Sequence, residues 1–195
     1  TIPPTFTNGT YQFRAVDKAG NISATKSIVL DSKQPTMTLY SGDVSVSNGY
    51  KSIANYIKAT ATDSESGVKT IYVKKPGASS YTGYTSGTQL TADGAYSFYC
   101  VDNAGNTSQT YTISMDHTSP TITSSVGGFG KTLKDGFTVT ASDNYSGVTL
   151  YYKTPNSDSF VASTTSSVVF SKTAVNGTYG FYAVDGFRNR SDTWY

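Results

Sequence analysis

Asp17-Lys18-Ala19-Gly20-Asn21 returns as Asp102-Asn103-Ala104-Gly105-Asn106, and this recurrence decides the reading of the chain. In front of the two copies stand Tyr11-Gln12-Phe13-Arg14-Ala15-Val16 and Tyr96-Ser97-Phe98-Tyr99-Cys100-Val101, both alternating with period two as half-buried strands do. A third version runs Tyr179-Gly180-Phe181-Tyr182-Ala183-Val184-Asp185. The aligned valines are Val16, Val101 and Val184, so the repeats are 85 and 83 residues long. Solenoid units are shorter, about 20–45 residues, so each repeat is a whole small domain.

The boundaries repeat as well. Asp31-Ser32-Lys33-Gln34-Pro35-Thr36 matches Asp116-His117-Thr118-Ser119-Pro120-Thr121, a short turn into a proline that opens a strand. The expected units are 1–34, a partial repeat, then 35–118 and 119–195. Linkers this short restrict hinging, so a stiff array is expected. Ile57, Ala59 and Ala61 share one face of a strand, as do Phe137, Val139 and Ala141. Both strands end in an aspartate and a turn, Asp63-Ser64-Glu65-Ser66-Gly67-Val68 and Asp143-Asn144-Tyr145-Ser146-Gly147-Val148. The next strands, at Ile71 and Leu150, align only after a slip of one residue, which predicts a β-bulge. With about seven short strands per unit and turns every 8–12 residues or so, the expectation is all-β, tandem immunoglobulin-like β-sandwiches. Tyr96, Phe98, Cys100, Ile113 and Met115 are expected inward, with a tyrosine corner at Tyr96 after Asp93-Gly94-Ala95.

These patterns, DxxSGV, then GxYxFxAxDxAGNxS, then DxxxPT, resemble the bacterial immunoglobulin-like (Big-type) tandem repeats of surface and extracellular proteins. Ala15, Asp17, Ala19, Gly20 and Asn21 carry the most specific part; Cys100, Phe187 and Arg188 depart from it. The resemblance implies a spacer or adhesive module and offers no catalytic residues to carry over.

Composition agrees. Charged residues make up 14% of the chain and the net charge is +2, without the basic footprint of a nucleic-acid binder. No apolar run is long enough to span a membrane. The chain has one cysteine, so no internal disulfide forms, and Cys100 takes the small core position of Ala15 and Ala183. This absence of disulfides fits a bacterial surface or phage protein better than a secreted animal domain. Six Asn-x-Ser/Thr sequons begin at Asn8, Asn21, Asn106, Asn144, Asn176 and Asn189; three belong to the repeated turn and are read as turn chemistry. Residues 1–34 contain only the rear strands of a repeat. They are expected to be a fragment, completed by a neighbouring repeat, a partner chain or an upstream part of a longer protein.

Three stretches approach reactive chemistry, and none completes it. Ser125-Val126-Gly127-Gly128-Phe129-Gly130-Lys131-Thr132 approaches a phosphate-binding loop but has Ser125 for its first glycine, and Leu133-Lys134-Asp135-Gly136 leads into a strand, not a helix. His117, the only histidine, lies in a linker without metal-ligating company. Lys58 has no asparagine inside the last strand with which to form an isopeptide bond. The chain is therefore read as non-enzymatic.

The acidic turns are more informative. Period-two counting places Asp63 and Asp102 inward at the same end of one sandwich, and Asp143 and Asp185 likewise in the next, near Asn106 and Asn189. Converging carboxylates must be neutralised or hydrogen-bonded. Capping of each turn by its own aspartate is the favoured reading, and Ca²⁺ held by Asp63, Asp102, Asp143 and Asp185 is the alternative. Phe187, Arg188 and Arg190 replace the Ala-Gly turn of the other repeats and are the candidate contact set for a ligand or partner. Tyr72, Tyr99 and Tyr182 are expected on outward faces, where flat tyrosines can stack on sugars or form a protein interface. The function expected is a stalk or spacer at the cell surface or outside the cell, with neighbouring repeats as partners and an adhesive role toward a surface protein or glycan. The rival readings are a carbohydrate-binding accessory module of a secreted polysaccharide-degrading enzyme and a decoration or fibre segment of a phage virion.

Overall fold

The structure is a computed structural model that describes residues 6–133 and 135–195. Every regular element among the described residues is a strand, and no helix is long and apolar enough to cross a membrane. Two compact units emerge: the chain up to Tyr50 together with Tyr56–Ser114, and Lys51–Asn55 together with Met115–Tyr195.

The first unit opens with a hairpin, β1 (Gly9–Phe13) against β2 (Lys26–Leu30), in register from Gly9↔Leu30 to Phe13↔Lys26. The hairpin has no core of its own. Phe13, Ile28 and Val29 stay 44–49% exposed, and no described residue from Phe6 to Gln34 is buried.

The sandwich that follows uses β3 (Thr36–Ser41), β4 (Val44–Val46), β5 (Tyr50–Ser52), β6 (Ile57–Thr62), β7 (Val68–Lys74), β8 (Thr82–Tyr84), β9 (Gly94–Asp102) and β10 (Tyr111–Met115). One sheet has the order β4-β3-β6, the other β5-β10-β9-β7-β8. Alternation dictates what lies inside: along β9, Tyr96, Phe98 and Cys100 are buried while Ser97 and Tyr99 are only partly covered. Met37, Leu39, Ile57 and Ala59 of the smaller sheet are buried too, as are Ile71, Val73, Ile113 and Met115 of the larger. Each such side chain contributes about 1.5–3 kcal/mol when an aliphatic or aromatic of this size leaves water. The bulge lies where the slip predicted it: β7 pairs Val68 with Asp102 but Thr70 with Val101, leaving Lys69 extra. The tyrosine corner is also present, Tyr96 Oη donating to the Ala92 carbonyl at 2.7 Å. Its equivalents are Tyr11 to Thr7 and Tyr179 to Val175, at 2.6 and 2.8 Å.

The second unit carries β11 (Thr121–Ser124), β12 (Phe137–Ser142), β13 (Val148–Lys153), β14 (Val161–Ala162), β15 (Ser167–Phe170) and β16 (Gly180–Asp185), in the sheets β11-β12-β15 and β14-β13-β16. Val139, Ala141, Leu150, Phe170, Phe181 and Ala183 form its core. Here β13 pairs with β16 without a register shift, from Val148↔Asp185 to Lys153↔Gly180. Among the described residues the two sandwiches thus have eight and six strands around the expected seven. The first spends extra residues on the edge strands β4 and β5, and the second reduces its final strand to the single bridge Phe181↔Trp194.

One close approach occurs in both units. Gly94, at φ 134°, precedes the corner tyrosine, and a Cβ there would lie 2.5 Å from Pro76 Cβ. Gly177, at φ 139°, stands in the same relation to Pro155 Cβ, also at 2.5 Å.

Candidate functional site

The repeated turn is built by its own aspartate. Asp102 Oδ1 accepts the Asn106 N–H at 2.8 Å and Oδ2 accepts Asn106 Nδ2–H at 2.8 Å. Asp17 holds Asn21 in the same way at 2.8 and 2.7 Å, and Asp185 holds Asn189 at 2.9 and 2.7 Å. A serine closes each turn from the far side: Ser23, Ser108 and Ser191 Oγ accept the N–H groups of Ala15, Cys100 and Ala183 at 2.9–3.0 Å. Gly20 and Gly105 provide the left-handed backbone at φ 91° and 96°. In the third copy that position is Arg188, the one described non-glycine residue with positive φ, at 77°.

Asp63 caps the preceding turn, Oδ1 accepting N–H groups from Ser66 and Gly67 at 2.9 and 2.7 Å. Asp143 Oδ1 does the same for Tyr145 and Ser146, at 3.0 and 2.8 Å. The structure brings Asp63 together with Asp102, and Asp143 with Asp185. It adds a third acid to each pair: Asp31 to the first and Asp116 to the second, one oxygen of every member lying within 4.8 Å of the others. The third acids come from the repeated linker. Their backbones are tied to the turn asparagines, Asn106 Nδ2 donating to the Asp31 carbonyl at 3.2 Å and Asn189 Nδ2 to the Asp116 carbonyl at 2.8 Å. The signal that could have revealed them is the fixed aspartate of the DxxxPT boundary, which reads as a turn when taken by itself.

The two clusters share a plan and differ in how their charge is met. In the first unit Asp31 Oδ2 accepts the Ser66 hydroxyl at 2.5 Å and the Ser66 N–H at 3.2 Å, while Oδ1 accepts the Lys33 N–H at 2.9 Å. The Ser66 hydroxyl holds the Asp31 carboxyl below its ordinary range, against the opposing effect of burial, with the Lys33 charge assisting. Lys33 also pairs with Glu65. In the second unit the lysine and glutamate are absent: Thr118 stands at the position of Lys33 and Tyr145 at that of Glu65. Asp116 is fully buried and Asp185 7% exposed. Asp116 Oδ1 accepts the Thr118 N–H at 3.3 Å. Asp116 Oδ2 and Asp143 Oδ2 are buried and have no hydrogen-bond partner. Burial pushes the Asp116 carboxyl up; the nearby Ser146 hydroxyl pulls the other way, and the Asp143 and Asp185 charges push it further up.

Phe187, Arg188 and Arg190 have different immediate neighbours. Phe187 is half-buried against Tyr145, ring centroids 5.7 Å apart, with Lys51 Nζ 5.2 Å from its centroid. Arg190 lies over the Tyr182 ring at 4.0 Å and donates to Thr193 Oγ1 at 2.8 Å. Arg188 is exposed. The outward tyrosines are cross-strand pairs: Tyr72 stacks on Tyr99 at 4.8 Å and Tyr151 on Tyr182 at 4.7 Å, so their faces are turned to each other.

Cys100 is fully buried and burial pushes its thiol up. In the loop resembling a phosphate cradle, Lys131 Nζ donates to the Val126 and Gly127 carbonyls at 2.8 and 3.2 Å, and the next element is the strand β12. Lys134 of that loop lies outside the described residues. Lys58 Nζ is held by Asp43 at 2.6 Å.

Fold and tips together define the class: immunoglobulin-like β-sandwiches in tandem, with an acidic turn cluster at the end of each. No protein-family model matches the chain, and no curated protein matches it. Among solved structures the chain is similar to the fibronectin(III)-like modules of Clostridium thermocellum CbhA, at 16% identity over 81% of this chain and 90% of that one, with a TM-score of 0.30. It is also similar to the FN1–FN3 domains of chicken CNTN1, at 14% identity over 94% and 75%, with a TM-score of 0.28.

Proposed function

We propose that this chain is a non-enzymatic stalk or spacer segment of an extracellular protein, made of the repeats 35–118 and 119–195 with the rear strands of a further repeat in 1–34. One observation carries the reading. The polar side chains that recur from repeat to repeat are spent on building turns and fastening linkers: the turn aspartates on Asn21, Asn106 and Asn189, and Asn106 and Asn189 in turn on the carbonyls of Asp31 and Asp116. A module selected for catalysis would instead aim such groups at a substrate. The aromatic faces are spent on each other, which argues for a spacer over a sugar-binding platform. An adhesive contact at Phe187, Arg188 and Arg190 is part of the same proposal. An aromatic side chain beside exposed arginines suits a protein surface as its partner.

Affinity gel electrophoresis against soluble polysaccharides, together with a hydrolysis assay on the same polymers, tests the reading. Unretarded migration and no turnover are expected. Retardation that disappears on replacing Tyr72 or Tyr182 with alanine would establish the carbohydrate-binding alternative.

A further inference from the structure

We propose that Asn176 is a site of spontaneous deamidation, attacked by the backbone nitrogen of Gly177, and that Asn48, in the same sequence motif, is held against the reaction. The chain contains three Asn-Gly pairs, beginning at Asn8, Asn48 and Asn176. Glycine hinders attack on the preceding asparagine least, because it has no Cβ. The reaction needs two further things: a carboxamide free to turn its Cγ onto the next backbone nitrogen, and an N–H free to lose its proton. At Asn48, in the turn between β4 and β5, both groups are engaged. Its Oδ1 accepts the Thr112 N–H and hydroxyl at 2.6 and 3.2 Å, and its Nδ2 donates to the Thr110 carbonyl at 3.3 Å. The Gly49 N–H donates to the Thr112 carbonyl at 2.8 Å. Asn176 is exposed in the bend before β16, and among the described residues nothing hydrogen-bonds its carboxamide or the Gly177 N–H. Asn8 falls between the two: its Oδ1 accepts the Ser32 N–H and hydroxyl at 3.2 and 2.9 Å, but in a hairpin that has no core.

The fold keeps this pair reactive. Gly177 stands at φ 139° with Pro155 Cβ only 2.5 Å from where its own Cβ would lie, so no bulkier, slower neighbour can take its place. The residue before it is open to change: Asn8, Asp93 and Asn176 precede the corner glycines Gly9, Gly94 and Gly177. The middle repeat therefore already carries the aspartate that deamidation makes. In the reaction the Gly177 nitrogen gives its proton to hydroxide and bonds to Asn176 Cγ. The Cγ–Nδ2 bond breaks and ammonia leaves, its third hydrogen drawn from water. Water then opens the cyclic imide at either carbonyl, its hydroxyl staying on carbon and its proton going to nitrogen. Opening at Cγ gives aspartate; opening at the backbone carbonyl gives isoaspartate, whose main chain runs through the side-chain methylene. Isoaspartate lengthens the loop that the Tyr179 hydroxyl closes onto the Val175 carbonyl at 2.8 Å. Both products lower the net charge of +2 by one. The site is independent of the stalk reading: a polysaccharide-binding chain would carry it equally.

The test is peptide mapping by mass spectrometry on the full chain aged in mildly alkaline buffer, with labelling by an isoaspartyl methyltransferase to tell isoaspartate from aspartate. Conversion at Asn176 is expected to run at least about tenfold faster than at Asn48, which reacts only after its hydrogen bonds have opened. In urea strong enough to unfold the chain, the two rates should converge. Asn176→Asp should remove the early release of ammonia and leave the circular dichroism spectrum unchanged, since Asp93 holds the equivalent place in the neighbouring repeat. No conversion at Asn176 in the folded chain, conversion at Asn48 as fast as at Asn176, or a difference in rate that survives unfolding would each overturn the proposal.

Discussion

Gly94→Ala probes the device that fixes the corner of the first sandwich. The new methyl group meets two obstacles. At φ 134° an L-residue is strained, by about 1–2 kcal/mol. Its Cβ would also sit 2.5 Å from Pro76 Cβ and 2.6 Å from Pro76 Cγ, so the backbone or the proline must move, at about 1–3 kcal/mol as in other overpacked sites. The sum is about 3 kcal/mol, against roughly 5–15 kcal/mol for the stability of a whole domain. Gly87→Ala is the matched control: φ is 78° and nothing lies within 4 Å of the added Cβ, so it should cost only the backbone part, about 1 kcal/mol. The unfolded-chain benefit of adding an alanine is common to both and cancels in the comparison. Urea unfolding followed by tyrosine fluorescence measures the difference. In a Pro76→Gly background, where Cβ and Cγ are gone, Gly94→Ala should fall to the Gly87→Ala level. Equal costs for the two substitutions in the unaltered protein would refute the close approach and the corner geometry built on it.

Three further expectations concern the turns and the hairpin. Arg188→Gly should stabilise the second unit by about 1 kcal/mol, since it returns a glycine to the left-handed position held by Gly105 in the neighbouring repeat; a loss on thermal or urea unfolding would show that the arginine side chain makes a contact worth more than the strain. The two units should respond oppositely to mild acid. Asp116, raised above the ordinary 3.8 by burial, binds its proton more readily folded than unfolded, so its unit should gain stability as pH falls from that raised value toward 3.8. Asp31, lowered by the Ser66 hydroxyl, contributes stability above 3.8 that is lost as pH falls through its lowered value. Denaturant melts of each unit across this range, with Asp116→Asn expected to flatten the rise, check the sign. Finally, the peptide 1–34 should be unfolded by circular dichroism and 35–195 should melt cooperatively without it; a folded peptide would show that the hairpin needs no completing strands.

Much of the fold could be read from the residues because repeats expose their own rules. Alternation placed Tyr96, Phe98 and Cys100 inside, and the one-residue slip between Ile71 and Leu150 marked the bulge at Lys69. Period-two phase brought Asp63 toward Asp102 and Asp143 toward Asp185. The third acids escaped because Asp31 and Asp116 lie in linkers, where no strand period says which way a side chain faces. Their role depends on the path the chain takes between β2 and β3, and between β10 and β11. The tyrosines were visible as outward residues, but whether Tyr72 meets solvent or Tyr99 depends on cross-strand register, which single-strand alternation leaves open. Arg188 was visible as a departure from the turn motif; its positive φ follows only once the turn is known to keep its shape with glycine gone.

Small-angle X-ray scattering on the full chain tests the spacer role most directly. A 195-residue protein packed into one globule has a radius of gyration of about 16 Å. A stalk segment predicts a value well above that, with an elongated distance distribution that does not change with concentration or salt. A radius near 16 Å, or a broad distribution typical of units swinging freely on their linkers, would contradict it.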